Sequence, residues 1–345
     1  MIKRFLRTRP AIVAQYLLRW TRLRAGLVLV YHHVTADSGT APVGPVQITP
    51  RDVFAAQIRH LRSTYRVVRA SELVEATAAR RRGARFPVAV TFDDDLPSHV
   101  QVAMPVLLEL NVPAMFFVGG RGLSPAPELW WETLERALAA GLADELARAW
   151  GIDSPAGTDG SVVWDLAERA LELSPQEREA WRGALESRLG EPAKPDLLTR
   201  SQLQALVEAG FELGFHTLEH ENLVQLDDAQ LTRALSTGRD ALADIAGRTL
   251  TALSYPYGRA DERVAAAARR HGFELGFTGR QECVTPRTDP MQIGRVEPAA
   301  RAGAAFALDL ARRIRRSRSL APEAPRARAE AAGEPAGSKA GRAAG

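Results

Sequence analysis

Five of the seven histidines in this chain of 345 residues fall just beyond short apolar runs, and so do three consecutive aspartates. His32 and His33 follow Leu27–Tyr31. Asp93, Asp94 and Asp95 follow Pro87–Phe92, with His99 a little further on, and His216 and His220 follow Phe211–Phe215. Another run, Leu250–Tyr255, leads into Pro256-Tyr257-Gly258. Histidines four apart face the same way on a helical turn and can share a metal ion, although such a pair is weak evidence alone. The aspartates strengthen it, because three adjacent carboxylates repel one another and resist burial unless a cation compensates them. One carboxylate and two imidazoles would leave positions open for water and substrate, the arrangement of a catalytic rather than a structural zinc. A second carboxylate beside the ligands could then accept a proton from the water.

These groups meet only if the runs before them are strands that end on one face. The full series is Leu27–Tyr31, Pro87–Phe92, Ala114–Val118, Phe211–Phe215, Leu250–Tyr255, Phe273–Phe277 and Gln292–Val296. Continuous apolar runs separated by helical stretches predict parallel strands buried on both faces. That is an α/β barrel, in which the C-terminal strand ends gather the site. Thr199 with Gln202 reads as a capping box, and Gly210, Gly247 and Gly272 stand where helices must stop.

From about residue 121 to 198 the rhythm breaks. Helices are expected there from Trp131 to Trp150, from Val162 to Leu173, and after a cap formed by Ser174, Pro175 and Glu177. Five of the six tryptophans, Trp130, Trp131, Trp150, Trp164 and Trp181, lie in this insertion. Before the barrel, residues 1–26 are basic. Val13, Tyr16, Leu17, Trp20 and Leu23 recur at helical spacing within residues 11–24, predicting an amphipathic helix that packs on the barrel or lies on an anionic membrane surface. A further helix is expected over 301–320, and 321–345 has the composition of a disordered tail.

Composition narrows the function. Hydrophobic residues at 46% and charged residues at 25% are those of an ordinary globular protein. A net charge of +4, with acids and bases interspersed, argues against a nucleic-acid partner. The single cysteine, Cys283, excludes an internal disulfide and a thiolate zinc cluster. No apolar run reaches the roughly 20 residues of a membrane span. The basic N-terminus lacks a secretory apolar core and cleavage site, so a cytoplasmic location is expected.

Thr91-Phe92-Asp93-Asp94, His216-Thr217-Leu218-Glu219-His220 and Ser254-Tyr255-Pro256-Tyr257-Gly258 together resemble three motifs of the polysaccharide deacetylase family. These are the NodB-like, or family-four, carbohydrate esterases. Val30-Tyr31-His32 and the stretch from Pro105 to Val118 add to the resemblance, which covers about residues 27–297. It implies a deformed (β/α)7 barrel of parallel strands over 27–300, here with a helical insertion, and hydrolysis of acetyl groups from N-acetylated or O-acetylated sugars. By position, Asp93 would be the general base. Asp94, His216 and His220 would hold a divalent metal, usually zinc, and the Tyr257 backbone N–H would meet the oxyanion. Two rival readings are a glycan-binding relative without turnover and a metal-dependent amidase of non-sugar amides.

The sequence departs from the family pattern in three places. Asp95 stands where glycine is common, and is expected to be a further polar contact to substrate or metal. Ser254 replaces an arginine before the Pro-Tyr-Gly turn, and Arg295 is expected to orient Asp93 instead. A late Leu-x-His motif is missing, so His32 is expected to donate the proton to the leaving group. Trp130 and Trp131, close after a strand end, are candidates to stack on a sugar ring.

Overall fold

The computed structural model describes residues 17–36, 47–123, 129–152, 161–190 and 196–317. Its strands are β1 (Leu27–Tyr31), β2 (His33–Thr35), β3 (Ile48–Pro50), β4 (Arg66–Val67), β5 (Pro87–Asp93), β6 (Met115–Val118), β7 (Glu212–Phe215), β8 (Ala252–Ser254), β9 (Leu275–Thr278) and β10 (Ile293–Gly294). Seven of them follow one another as β1-β5-β6-β7-β8-β9-β10, and every neighbouring pair is parallel. The ring returns to its start just past β10. There the Val30 N–H donates to the Val296 carbonyl, and the Val296 N–H donates to that of Val28. This closure is one bridge, Leu29 beside Val296, and β7 meets β8 as thinly, at Phe215 and Leu253. The molecule is therefore the expected (β/α)7 barrel, deformed at two seams. All seven apolar runs hold a strand. β4 beside β5 and the separate β2–β3 pair are additions that their short, mixed sequences did not signal.

Side chains alternate across a strand, so residues two apart share a face. Here the alternation separates two apolar clusters. Leu27, Leu29, Val88, Val90, Phe92, Phe116, Val118, Leu213, Phe215 and Leu253 pack outward with helix residues such as Phe54, Ile58, Leu203 and Leu206. Val28, Ala89, Met115, Phe117, Ala252, Phe277 and Ile293 form the other cluster, inside the ring. A Cβ on Gly214 would overlap the ring of Phe117, so the small residue makes room for the large one across a narrow interior. The N-terminal end of the barrel is closed by the turn at Ala70 and Ser71, whose N–H and hydroxyl donate to the Glu212 carboxylate. Counting on by twos toward the other end, the inward series runs through Thr91 to Asp93, Gly214 to His216, Ala252 to Ser254 and Ile293 to Arg295. One strand alternation thus aims the polar groups at the C-terminal mouth.

Helices Arg51–Thr64, Arg200–Glu208, Asp228–Ser236, Arg239–Ala246, Glu262–Arg270 and Ala304–Arg316 surround the barrel. The expected box at Thr199 is formed, its side chain accepting from the Gln202 N–H, and Gly247 ends a helix at φ 65°. Among the described residues between β6 and Arg200 lie four more α-helices, Trp130–Ala139, Ala143–Ala149, Ser161–Glu172 and Pro175–Leu189, around their own core of Leu134, Leu146, Leu166 and Leu185. The single helix expected from Trp131 to Trp150 is two, because Gly141 takes a left-handed φ of 78°. Arg121, at the end of β6, fastens the first of these helices through two parallel hydrogen bonds to Glu132, both 3.0 Å.

Of the expected N-terminal helix, residues 1–16 lie outside the described residues. What is described is helical over 17–19 and turns at Trp20. The Arg80 guanidinium donates to the carbonyls of Arg19, Thr21 and Leu23 and so fastens this segment to the barrel. Residues 321–345 lie outside the described residues as well. Among those described, no helix is long and apolar enough to cross a membrane.

Candidate metal centre and active site

Asp93 closes β5 with its side chain inside the barrel, 3% exposed. Arg295 donates from both terminal nitrogens, one to each Asp93 carboxylate oxygen, at 2.6 Å. The Ser254 hydroxyl donates to Asp93 Oδ2 at 2.9 Å and accepts from Arg295 at 2.8 Å. Burial opposes the charge on Asp93, but the guanidinium of Arg295 and the nearby His216 outweigh it and hold the carboxyl well below the usual range. Arg295 therefore stands where an orienter of the base was expected, with Ser254 as its partner.

The aspartate triplet is dispersed. Asp93 is matched by Arg295. Asp95 turns away from the mouth, and its two oxygens accept from the backbone N–H groups of Gly119 and Gly120, both at 3.0 Å. Burial raises its carboxyl despite these two bonds. A Cβ on Gly119 would collide with the Thr217 carbonyl, so this turn lies directly beneath the loop that carries the histidines. The structure thus does not bring Asp95 to substrate or metal: its carboxylate is bound to the turn after β6. Of the three carboxylates, Asp94 is the one that neither an arginine nor a pair of backbone amides engages among the described residues.

Asp94, His216 and His220 converge. They offer ligand atoms that all lie within 4.8 Å of one another, and Nε2 of each histidine is 3.6 Å from Asp94 Oδ1. The two histidines do not share a helical turn as expected. Thr217 and His220 have φ of 54° and 48°, which no α-helix accommodates, and the loop itself folds the second imidazole back toward the first. His216 Nδ1 lies 2.8 Å from the Ser254 carbonyl. It must carry the proton there, which leaves the Nε2 lone pair facing Asp94. Burial, followed by repulsion from His216, pushes His220 well below its ordinary value, keeping it a neutral donor. Two imidazoles and a carboxylate fit a divalent ion such as zinc, with room for further ligands.

Other expected residues line the same cavity of about 410 Å³: His32, Trp130, Trp131, Tyr257 and Arg295. Tyr257 takes φ 59°, and its hydroxyl accepts from Trp130 Nε1 at 2.6 Å. Trp131 and Tyr257 both pack against the His220 ring, each with centroids 4.6 Å apart. The insertion therefore contributes a wall of the site, including Glu168 and Leu171. His99 is fully buried, 3.0 Å from the His32 carbonyl through Nε2, and stays below the mouth.

One residue was missed by the sequence reading. Glu297 lies 3.3 Å from His32 Nδ1. Burial disfavours charge on His32, but the adjoining Glu297, then Asp94 and Asp93, outweigh it and push the imidazole up to about 9. The signal was available: His32 and Glu297 continue the inward series Val28–Val30 and Ile293–Arg295 by two residues.

Comparison with known proteins agrees with this geometry. The family model described as polysaccharide deacetylase matches residues 183–276, taking in both histidines and the Tyr257 turn. Bacillus subtilis YxkH, provisionally named a polysaccharide deacetylase, is 27% identical over 81 residues. The match spans 24% of this chain and 29% of that relative. Among solved structures, Streptococcus pyogenes deacetylase PplD in complex with acetate superposes with a TM-score of 0.55 at 18% identity, over 83% of this chain and 97% of that one. IcaB from Ammonifex degensii does so with 0.53 at 21%, over 84% and 97%. These two likenesses establish the fold.

Zinc binding tests the ligand set. Asp94→Ala, His216→Ala and His220→Ala should each weaken zinc at least about tenfold in equilibrium dialysis. Asp95→Ala should retain the ion and instead lose about 2 kcal/mol of unfolding free energy. A ligand variant that holds zinc as tightly as the unaltered chain contradicts the assignment.

Proposed function

We propose that this chain, a member of the polysaccharide deacetylase family, is a metal-dependent hydrolase that removes acetyl groups from an N-acetylated or O-acetylated sugar of a polysaccharide or glycolipid. The observation that carries the reading is the pairing of three convergent metal donors with an ionised carboxylate, Asp93, whose orientation is fixed from the barrel interior. Asp94, His216 and His220 would hold a divalent ion, zinc by its donor set, which would supply Lewis acidity and lower the pKa of water toward 7. That acidity matters because Arg295, in keeping Asp93 charged and aimed, also makes it a weak base.

Asp93 accepts the proton as the water oxygen bonds to the acetyl carbon. Negative charge gathers on the former carbonyl oxygen, where the Tyr257 backbone N–H is assigned as a donor. The bond to the sugar nitrogen then breaks, and His32, charged beside Glu297, gives its proton to the departing amine. Acetate and the free amino sugar leave. Trp130 and Trp131 form an apolar wall suited to the face of a sugar ring. The basic segment up to residue 26, with Leu17 and Trp20 more than half exposed beside Arg19, Arg22 and Arg24, suits contact with the anionic inner face of a membrane, where a lipid-linked glycan would be presented.

Acetate release from a panel of acetylated amino-sugar oligomers and simple amides tests the reaction. Release should be confined to the sugars and stop with chelator. Asp93→Asn should lower kcat by roughly 10²–10⁴, and His32→Ala should lower kcat with zinc content intact. Because Glu297 favours charged His32, the acid form is lost only as pH rises through the raised value, so Glu297→Gln should move the alkaline limb of kcat to lower pH. Sugar binding without any acetate release would favour the glycan-binding rival, and turnover of simple amides alone the other.

Membrane contact is tested by sedimentation with phosphatidylglycerol vesicles at low salt. Pelleting that disappears with neutral vesicles is expected, and no pelleting removes the idea.

A further inference from the structure

His32 and Glu297 both lie on chain that the barrel ladder does not hold. Glu297 begins an irregular stretch just after the single bridge at Val296, and His32 stands between β1 and the separate β2–β3 pair. A side chain that reaches both stretches is Gln57, on the helix Arg51–Thr64. Its Oε1 accepts from the Tyr31 hydroxyl at 2.9 Å, and its Nε2 donates to the carbonyls of Ala299 and Arg301 at 3.0 and 2.9 Å. Tyr31 directly precedes His32, and Ala299 is two residues beyond Glu297.

Gln57 is fully buried, and its companions on the inward face of that helix include the apolar Phe54, Ile58 and Leu61. A buried amide is tolerated where its hydrogen bonds are made, and here both donors of Nε2 are spent on the stretch after Glu297. Packing alone calls for no amide, since an apolar side chain of the same length would fill the place. What the amide adds is a connection between the two stretches. Gln47 and His99 hold one stretch each: Gln47 donates to the Pro298 carbonyl, and His99 Nε2 lies 3.0 Å from the His32 carbonyl. We propose that Gln57 is a positioning residue for the proton donor: by joining Tyr31 to the backbone beyond Glu297, it holds the His32 imidazole against the Glu297 carboxylate. Gln57 is not in the wall of the cavity and acts only through this pair. Its role rests on the deacetylase reading, in which His32 protonates the leaving amine.

Leaving-group dependence separates positioning from damage to the fold. An amine must be protonated as it departs, whereas para-nitrophenolate leaves its acetate ester without a proton. Gln57→Met, close in volume, should lower kcat on an N-acetylated amino-sugar oligomer about tenfold, with KM and zinc content unchanged, and lower that on para-nitrophenyl acetate less than about twofold. Tyr31→Phe removes one of the three bonds and keeps the ring packed against Phe54 and Phe92. It should act in the same direction by about threefold, and it serves if Gln57→Met does not fold. In a chain already carrying Glu297→Gln, either substitution should change kcat by less than about twofold, because the pair it positions is gone. Equal losses on both substrates, or losses that multiply in full with Glu297→Gln, would overturn the proposal. Failure of the deacetylase reading looks different: the unaltered chain releases no acetate from the sugar. The clasp is then judged in crystal structures of the two variants. Separation of His32 Nδ1 from Glu297 beyond about 4 Å supports it, and a retained 3.3 Å contradicts it.

Discussion

The ion pair between Asp93 and Arg295 is the constraint on which the site depends. The two residues are 202 positions apart, Asp93 at the end of the second strand of the ring and Arg295 directly after the last, and both are nearly solvent-free. A buried pair of this kind contributes little net stability, yet loss of one partner leaves an unmatched charge worth about 3–5 kcal/mol. It therefore specifies geometry more than it stabilises. Arg295 can reach Asp93 only if the barrel closes, and the closure itself is a single bridge at Leu29 and Val296. Ser254 extends the constraint: its hydroxyl holds Asp93 while its carbonyl fixes the proton on His216. One residue on β8 thereby sets both the base and the tautomer of a metal ligand.

Backbone strain is concentrated around the same place. Among the described residues, five other than glycine have positive φ, and four of them are Asp94, Thr217, His220 and Tyr257. Each such conformation costs on the order of 1–3 kcal/mol and persists only where the surroundings enforce it. The enforcement is visible. Asp95 ties down the turn under Thr217, and Trp130 holds the Tyr257 hydroxyl. Gly258 and Gly279 pack so closely that a Cβ on Gly258 would strike the Gly279 backbone. Arg121, through Glu132, connects the insertion to the barrel, so the helices that interrupt the barrel rhythm also brace its mouth.

Much of this was legible in the sequence, for a physical reason. Long buried strands must be apolar on both faces, so all seven were marked, and polar residues at their ends stood out against them. The clustering of acids and histidines was visible at those ends, whereas the division of roles among Asp93, Asp94, His216 and His220, and the place of Arg295, came from the resemblance. What stayed hidden depended on distant partners. Asp95 looked like a third acid of the site until the Gly119 and Gly120 amides accounted for its oxygens. The turn containing His216 and His220 looked helical because spacing does not reveal a left-handed φ. Glu297 continues the inward alternation of Ile293 and Arg295, a signal left unread because the regular strand there is only two residues long. The break at Gly141 was open to inspection, since a glycine inside a helical pattern is a stop signal.

The central claim is that Asp94, His216 and His220 hold one catalytic divalent ion next to Asp93. Anomalous diffraction from crystals of the protein soaked in zinc tests it most directly. A single strong peak is predicted within about 2.2 Å of an Asp94 oxygen and of Nε2 of both histidines, with the Asp93–Arg295 pair intact beside it. A peak elsewhere, or none at this place under conditions that saturate other zinc enzymes, would contradict the account.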